Sequence, residues 1–252
     1  MTKLGLSLIV CLQLVFNYHQ VIGHPQESIH FKSADGINIT ADLYITHEKT
    51  APLIILFHQA GWSRGEYLEV APRFNKMGFN CMAVDLRSGG SINDVQNATN
   101  QSALKELKAT QYADAYKDMI AAIDYAKTNY GRGKIIALGS SYSSALALKL
   151  AGDMPEKLDA VIAFSPAEYF TAQGKPRDYI TSSAVTIMQP VFITSAKSEK
   201  NNWWGIYVAI PSEKKQFFMP ETTGNHGAKA LWSKYKDSKD YWSAVKTFLD
   251  TI

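Results

Sequence analysis

The stretch Ile135-Ile136-Ala137-Leu138-Gly139-Ser140-Ser141-Tyr142-Ser143-Ser144-Ala145 joins a continuous apolar run to a series of small residues. Residues 134–138 read as a strand buried on both faces, being short, apolar and isoleucine-rich. Residues 143–150 are small and apolar and read as a helix, so the chain must turn sharply between the two. Such a turn holds its central residue in a strained conformation and crowds the positions two away on either side. Gly139 and Ser143 are small enough to fit around Ser141. The helix also directs free N–H groups and the positive end of its dipole at Ser141, favouring negative charge that develops there. A serine-rich helix cap without chemistry is the competing reading, since Ser140, Ser143 and Ser144 crowd the same turn.

Outward from this turn the same pattern repeats. Residues 28–34 and 37–46 alternate apolar and polar side chains around Asp35-Gly36, which marks a hairpin. Continuous apolar runs at 52–57, 79–86, 158–164, 190–195 and 216–219 read as further strands. Helical spacing covers 66–77, ending at Gly78, and 241–249. It also covers 112–130, where Ala115, Met119, Ala122, Ile123 and Ala126 share a face ahead of Gly131. Residues 88–107 are polar and weakly periodic and read as a surface loop with room for a short helix. Strands alternating with helices from residue 52 onward require a largely parallel sheet covered on both faces. No repeat or linker interrupts the pattern, so residues 24–252 are expected to form one domain.

The N-terminus reads differently. Lys3 precedes an almost uncharged apolar run over residues 4–16, and a more polar stretch ends in Val21-Ile22-Gly23. That is the pattern of a signal peptide over residues 1–23 with cleavage after Gly23. The run is short for a membrane span, which needs about 20 apolar residues, so export is favoured over an uncleaved anchor and no stable span is expected afterwards. Val10 before Cys11 argues against a lipoprotein signal. Cys81 then stands alone within an apolar run and is expected to be a core residue. Lys3 is the only charged residue removed with the signal, so the formal charge falls from +3 to +2. The lysines between Lys229 and Lys246 alternate with Asp237 and Asp240, a solvated face that excludes a nucleic-acid footprint. Three N-x-S/T sequences, at Asn38, Asn97 and Asn100, bear on the protein only where exported chains are glycosylated.

Four segments carry a resemblance to the α/β-hydrolase superfamily, and within it to dienelactone-hydrolase-like members. They are Phe57-His58-Gln59-Ala60-Gly61, Val84-Asp85-Leu86-Arg87-Ser88-Gly89-Gly90, the Ser141 turn, and Gly224-Asn225-His226-Gly227. The resemblance spans roughly residues 28–250. It implies an eight-stranded, mostly parallel twisted sheet with an N-terminal antiparallel hairpin and helices on both faces. The family's G-x-S-x-G becomes Gly139-x-Ser141-x-Ser143 here. Members named for dienelactone hydrolysis carry cysteine where this chain has Ser141, which points away from that substrate but not from hydrolysis.

A serine hydroxyl is a weak nucleophile until a base takes its proton, and in this fold the partners follow in the order Ser, acid, His. Of six histidines only His226 follows Ser141, in a loop flanked by Gly224 and Gly227. In related hydrolases the acid lies just past the strand at 190–195, where this chain has Glu199; Glu168, past the preceding strand, is the rival. Two N–H donors are needed for the oxyanion. Tyr142, directly after the nucleophile, should supply one, and Gln59 or Ala60 the other, while His58 is expected to brace the loop. Trp62, Trp203 and Trp204 flank these loops either as pocket walls or as packing.

The expected function is therefore exported serine hydrolysis of a small acyl compound, most simply a carboxylic ester, with no metal or organic cofactor. The segments 88–107 and 167–189 are short for a lid, which implies an open site. An exported serine peptidase or amidase uses the same groups and is the enzymatic alternative. A catalytically inactive binding protein on the same fold is the other.

Overall fold

Period-two alternation along the buried strands sorts the core into two layers. The computed structural model describes residues 27–252, and the signal expected over residues 1–23 lies outside the described residues. Strands β1 (Glu27–Lys32) and β2 (Asn38–Tyr44) form the expected hairpin, turning through Gly36 at φ +88°. Six strands follow: β3 (Leu53–Phe57), β4 (Asn80–Val84), β5 (Ile135–Ser140), β6 (Ala160–Phe164), β7 (Val191–Thr194) and β8 (Lys215–Phe218). They run parallel in one sheet of order β1-β2-β4-β3-β5-β6-β7-β8, with β2 antiparallel to β4.

Helices α1 (Val70–Asn75), α2 (Ala98–Lys105), α3 (Tyr116–Tyr130), α4 (Tyr142–Asp153), α5 (Thr181–Ala184), α6 (Lys200–Ala209) and α7 (Ser238–Leu249) surround the sheet. Leu53, Ile55 and Phe57 of β3 pack with Met119 and Ile123 of α3 and Leu146 of α4. Their neighbours Ile54 and Leu56 pack on the other face with Phe74 of α1 and Trp242, Val245 and Phe248 of α7. Each fully buried aliphatic side chain contributes roughly 2 kcal/mol. Cys81 of β4 is buried as expected, and burial pushes its thiol well above its usual range.

The strand order reverses around β3, which has β4 on one side and β5 on the other. Such a reversal opens a crevice beyond the carboxyl ends of the strands. Phe57 pairs with Gly139 across it, so the loop after β3 and the turn after β5 emerge side by side.

Two elements differ from the sequence reading. Residues 66–77 do not form one helix. A 3₁₀ turn at Arg64–Tyr67 is followed by α1, whose first turn holds Pro72. A helix begun at Glu66 would have placed that proline in its interior, where its missing N–H and ring are not tolerated. Helix α6 was not anticipated: its sequence shows no apolar stripe, and only Trp203 and Ile206 are buried. The polar stretch 88–107 holds α2 and a two-stranded ladder of Ser91–Ile92 with Val95–Gln96. Asn97, one of the three N-x-S/T asparagines, is buried and caps α2 by accepting the Asn100 N–H at 2.7 Å. Among the described residues no helix is long and apolar enough to cross a membrane.

At Gly139 a Cβ would lie 2.4 Å from the Cα of Ser144, a backbone contact that cannot give way cheaply. Gly139→Ala should therefore lower stability by about 2–3 kcal/mol, read as a fall in the urea midpoint. An unchanged midpoint would mean that the turn is looser than the packing around it requires.

Candidate active site

Ser141 sits between β5 and α4 at φ +58°, ψ −124°, a conformation rarely adopted by residues with a side chain. Two neighbouring hydroxyls and its own N–H hold it there. Ser143 Oγ donates to Phe57 O at 2.8 Å and accepts the Ser140 N–H at 2.9 Å, tying the turn to the end of β3. Ser144 Oγ donates to Ser141 O at 2.6 Å. The Ser141 N–H donates to Phe164 O, the last residue of β6, at 2.8 Å. The serine that replaces glycine two positions after Ser141 thus uses its hydroxyl as a brace.

His226 lies between Gly224 and Gly227, at φ +70° and +72°. A Cβ at Gly227 would meet Ser140 Oγ at 2.6 Å, and one at Gly224 would meet Tyr241 Oη at 2.4 Å. Side chains at these positions would push the loop off the site. His226 Nε2 lies 2.8 Å from Ser141 Oγ, and its Nδ1 lies 2.6 Å from Glu199 Oε1. With Glu199 ionised and able only to accept, the Nδ1 proton points to the carboxylate and Nε2 is left to accept from Ser141. Burial works to raise the Glu199 carboxyl, but hydrogen bonds from His226 and Ser165 outweigh it and hold the group below its ordinary value.

The rival carboxylate is elsewhere. Glu168 accepts the N–H groups of Ile180 and Thr181, at 2.9 and 2.8 Å, and the Thr181 hydroxyl, so it caps α5 instead of meeting His226.

The loop after β3 separates its two donor candidates. The Gln59 N–H is committed to Glu66 Oε2 at 2.8 Å, which removes Gln59 from the expected pair of oxyanion donors. The N–H groups of Ala60 and Tyr142 have no acceptor among the described residues. His58 is fully buried, and burial lowers its basicity. Its Nε2 accepts the Leu86 N–H at 2.9 Å, so its proton resides on Nδ1 and is donated to Gln59 O at 2.8 Å. It braces the loop, as expected. Trp203 is a packing residue, buried and donating through Nε1 to Ser195 Oγ at 2.8 Å. Trp62 stacks on Trp232 with ring centroids 5.3 Å apart.

Three residues at the site carried no signal in the sequence. Glu66 is completely buried and joins three segments. It accepts Gln59 N–H and the Ser140 hydroxyl, both at 2.8 Å, while Ser140 Oγ accepts the Ala228 N–H from the loop after His226. Ser165, at the end of β6, donates to Glu199 Oε2 at 2.7 Å. Tyr169 donates its hydroxyl to Ser165 O at 2.6 Å; burial pushes this phenol up to about 12, so it stays protonated. Among the described residues no cluster of three or more histidine, cysteine or acidic side chains is placed to hold a metal ion.

Residues 48–202, more than half of the chain, match the family model described as serine aminopeptidase, S33. The chain belongs to this family of serine hydrolases. Among solved structures the S33 chain is similar to the Pyrococcus furiosus esterase Pf2001, at 17% identity and a TM-score of 0.68 over 89% of this chain and 91% of that one. The dienelactone hydrolase from Anabaena variabilis matches at 14% identity and a TM-score of 0.69, over 91% and 99%. Est1E from Butyrivibrio proteoclasticus, in complex with ferulic acid, matches at 14% identity and a TM-score of 0.67, over 88% and 97%. At these identities the likeness concerns the fold, an α/β-hydrolase of the dienelactone-hydrolase-like type. Among curated proteins, none matches the chain.

Burial raises the Glu66 carboxyl from 4.5 to about 7. The folded protein holds this proton more tightly than the unfolded chain, so stability falls as pH rises from about 4.5 to about 7, by on the order of 3 kcal/mol. Glu66→Gln cannot ionise and should lack that loss. Urea unfolding of both proteins at pH 5 and pH 8 tests this: parallel pH dependence in wild type and variant would contradict it.

Proposed function

We propose that this S33 hydrolase is exported and cleaves carboxylic esters through an acyl-Ser141 intermediate, with His226 as base and Glu199 as orienting acid. The unbroken hydrogen-bond chain from Ser141 through His226 to Glu199 carries the reading. Ser141 Oγ attacks the acyl carbon while its proton passes to His226 Nε2. The oxyanion is received by the unengaged N–H groups of Tyr142 and Ala60, with the dipole of α4 adding to the field. Glu199 holds the imidazole in the productive tautomer and stabilises its charged form. As the carbon–oxygen bond to the alcohol breaks, the proton on Nε2 goes to the leaving oxygen. A water deprotonated by His226 then attacks the acyl group, and the acid departs with Ser141 restored.

Ester cleavage is supported by the esterase and dienelactone hydrolase named among the structural neighbours. Amide cleavage is the second reading, favoured by the aminopeptidase description of the family. Export rests on the apolar run after Lys3 and the small-residue end at Gly23.

A fluorophosphonate probe should label wild type and not Ser141→Ala, and correctly folded wild type that stays unlabelled would sink the acyl-enzyme reading. Short acyl esters should be turned over faster than the matching aminoacyl amides; the reverse order would assign the peptidase reading. Glu199→Gln should lower kcat by about 10³-fold or more, whereas Glu168→Gln should leave kcat within about twofold, since its carboxylate only caps α5. Edman sequencing of protein recovered from the extracytoplasmic fraction should begin at His24, and a retained Met1 would contradict cleavage.

A further inference from the structure

Ser165 directly follows β6 at φ +56°, in the left-handed region that non-glycine residues enter only when their surroundings over-determine it. Four hydrogen bonds do so. Its N–H donates to Thr194 O at 2.7 Å, at the end of β7. Its hydroxyl donates to Glu199 Oε2 at 2.7 Å and accepts the Gly227 N–H at 2.9 Å. Its carbonyl accepts the Tyr169 hydroxyl at 2.6 Å.

We propose that Ser165 is the positioning residue of the site: one hydroxyl locks the acid and the base's loop into a common register. The inference rests on the reading of Ser141, His226 and Glu199 given above. A carboxylate turns broadly about its last torsion, and Glu199 offers His226 only Oε1. Its Oε2 is fixed by Ser165 and, more weakly, by the Ala196 N–H at 3.2 Å. Gly227 directly follows His226, so the oxygen that fixes the carboxylate also anchors the backbone carrying the imidazole. Neither contact could form from an extended conformation at Ser165 without moving the hydroxyl away from both. The strain is thus retained where it aligns two segments 27 residues apart in sequence.

Two substitutions separate the hydroxyl from the backbone. Ser165→Ala removes the hydroxyl and keeps a Cβ; Ser165→Gly removes the hydroxyl and relieves the strain. Both should lower kcat on a short acyl ester by about ten- to a hundredfold, the loss of one charge-assisted hydrogen bond, with KM within about twofold. The low-field proton resonance of the Nδ1–H between His226 and Glu199 should also shift or broaden in both variants, and this reads the geometry without turnover. Wild-type kcat and an unchanged resonance in both variants would overturn the proposal. So would wild-type behaviour in Ser165→Gly alone, which would assign the residue a purely backbone role. Wild-type protein inert to esters, amides and fluorophosphonate would instead remove the catalytic reading, and the resonance would still decide the register: an unchanged signal in both variants overturns it.

Discussion

The left-handed turn at Ser141 is the constraint to which the rest of the site is fitted. A residue with a Cβ rests at φ +58° only if its neighbours leave it no alternative, and here the restraint comes from the sheet itself. β3 and β5 are paired up to Phe57 and Gly139, so the turn closes against the Phe57 carbonyl through Ser143 and against β6 through the Ser141 N–H. Gly139 lets α4 start almost on top of the strand. The outcome is a hydroxyl at the end of the sheet followed directly by a Tyr142 N–H without an acceptor among the described residues, the kind of preorganised donor on which the proposed reaction draws.

Two buried polar clusters flank this turn and do different work. On one side Glu66 gathers the loop after β3 and Ser140 around a single carboxylate, and Ser140 Oγ takes up the Ala228 N–H from the loop after His226. This consumes the Gln59 N–H and leaves the next one, at Ala60, open. On the other side Ser165 gathers Glu199, Gly227 and Tyr169. Buried polar networks are costly when incomplete and rigid when satisfied. Here each lies against one flank of Ser141–His226, so rigidity is delivered at the reacting groups while the apolar layers beyond supply the stability.

How far the sequence could be read follows from the range of the interactions involved. The strands at residues 53–57 and 135–140 and the turn between β5 and α4 announce themselves through local composition. Chain order alone singles out His226, because no other histidine follows Ser141. Glu199 was reached only through its place after β7, with Glu168 in an equivalent place after β6; the contacts of the two carboxylates tell them apart, not their surroundings in sequence. Glu66 and Ser165 are invisible in the sequence because their partners are remote: Glu66 meets Ser140 across 74 residues and Ser165 meets Gly227 across 62. The choice between Gln59 and Ala60 depended on one such remote bond. α6 escaped notice for another reason, since its aromatic residues bury too narrow a stripe to produce a helical pattern.

Chemistry at Ser141 is the centre of the functional proposal, and trapping the acyl group is its most direct test. Wild-type protein mixed briefly with an activated short-chain ester, quenched in acid and digested, should carry the acyl mass on the peptide containing residues 139–145, with fragmentation placing it on Ser141. An acyl group on Ser140, Ser143 or Ser144, or none on that peptide during measurable turnover, would contradict it.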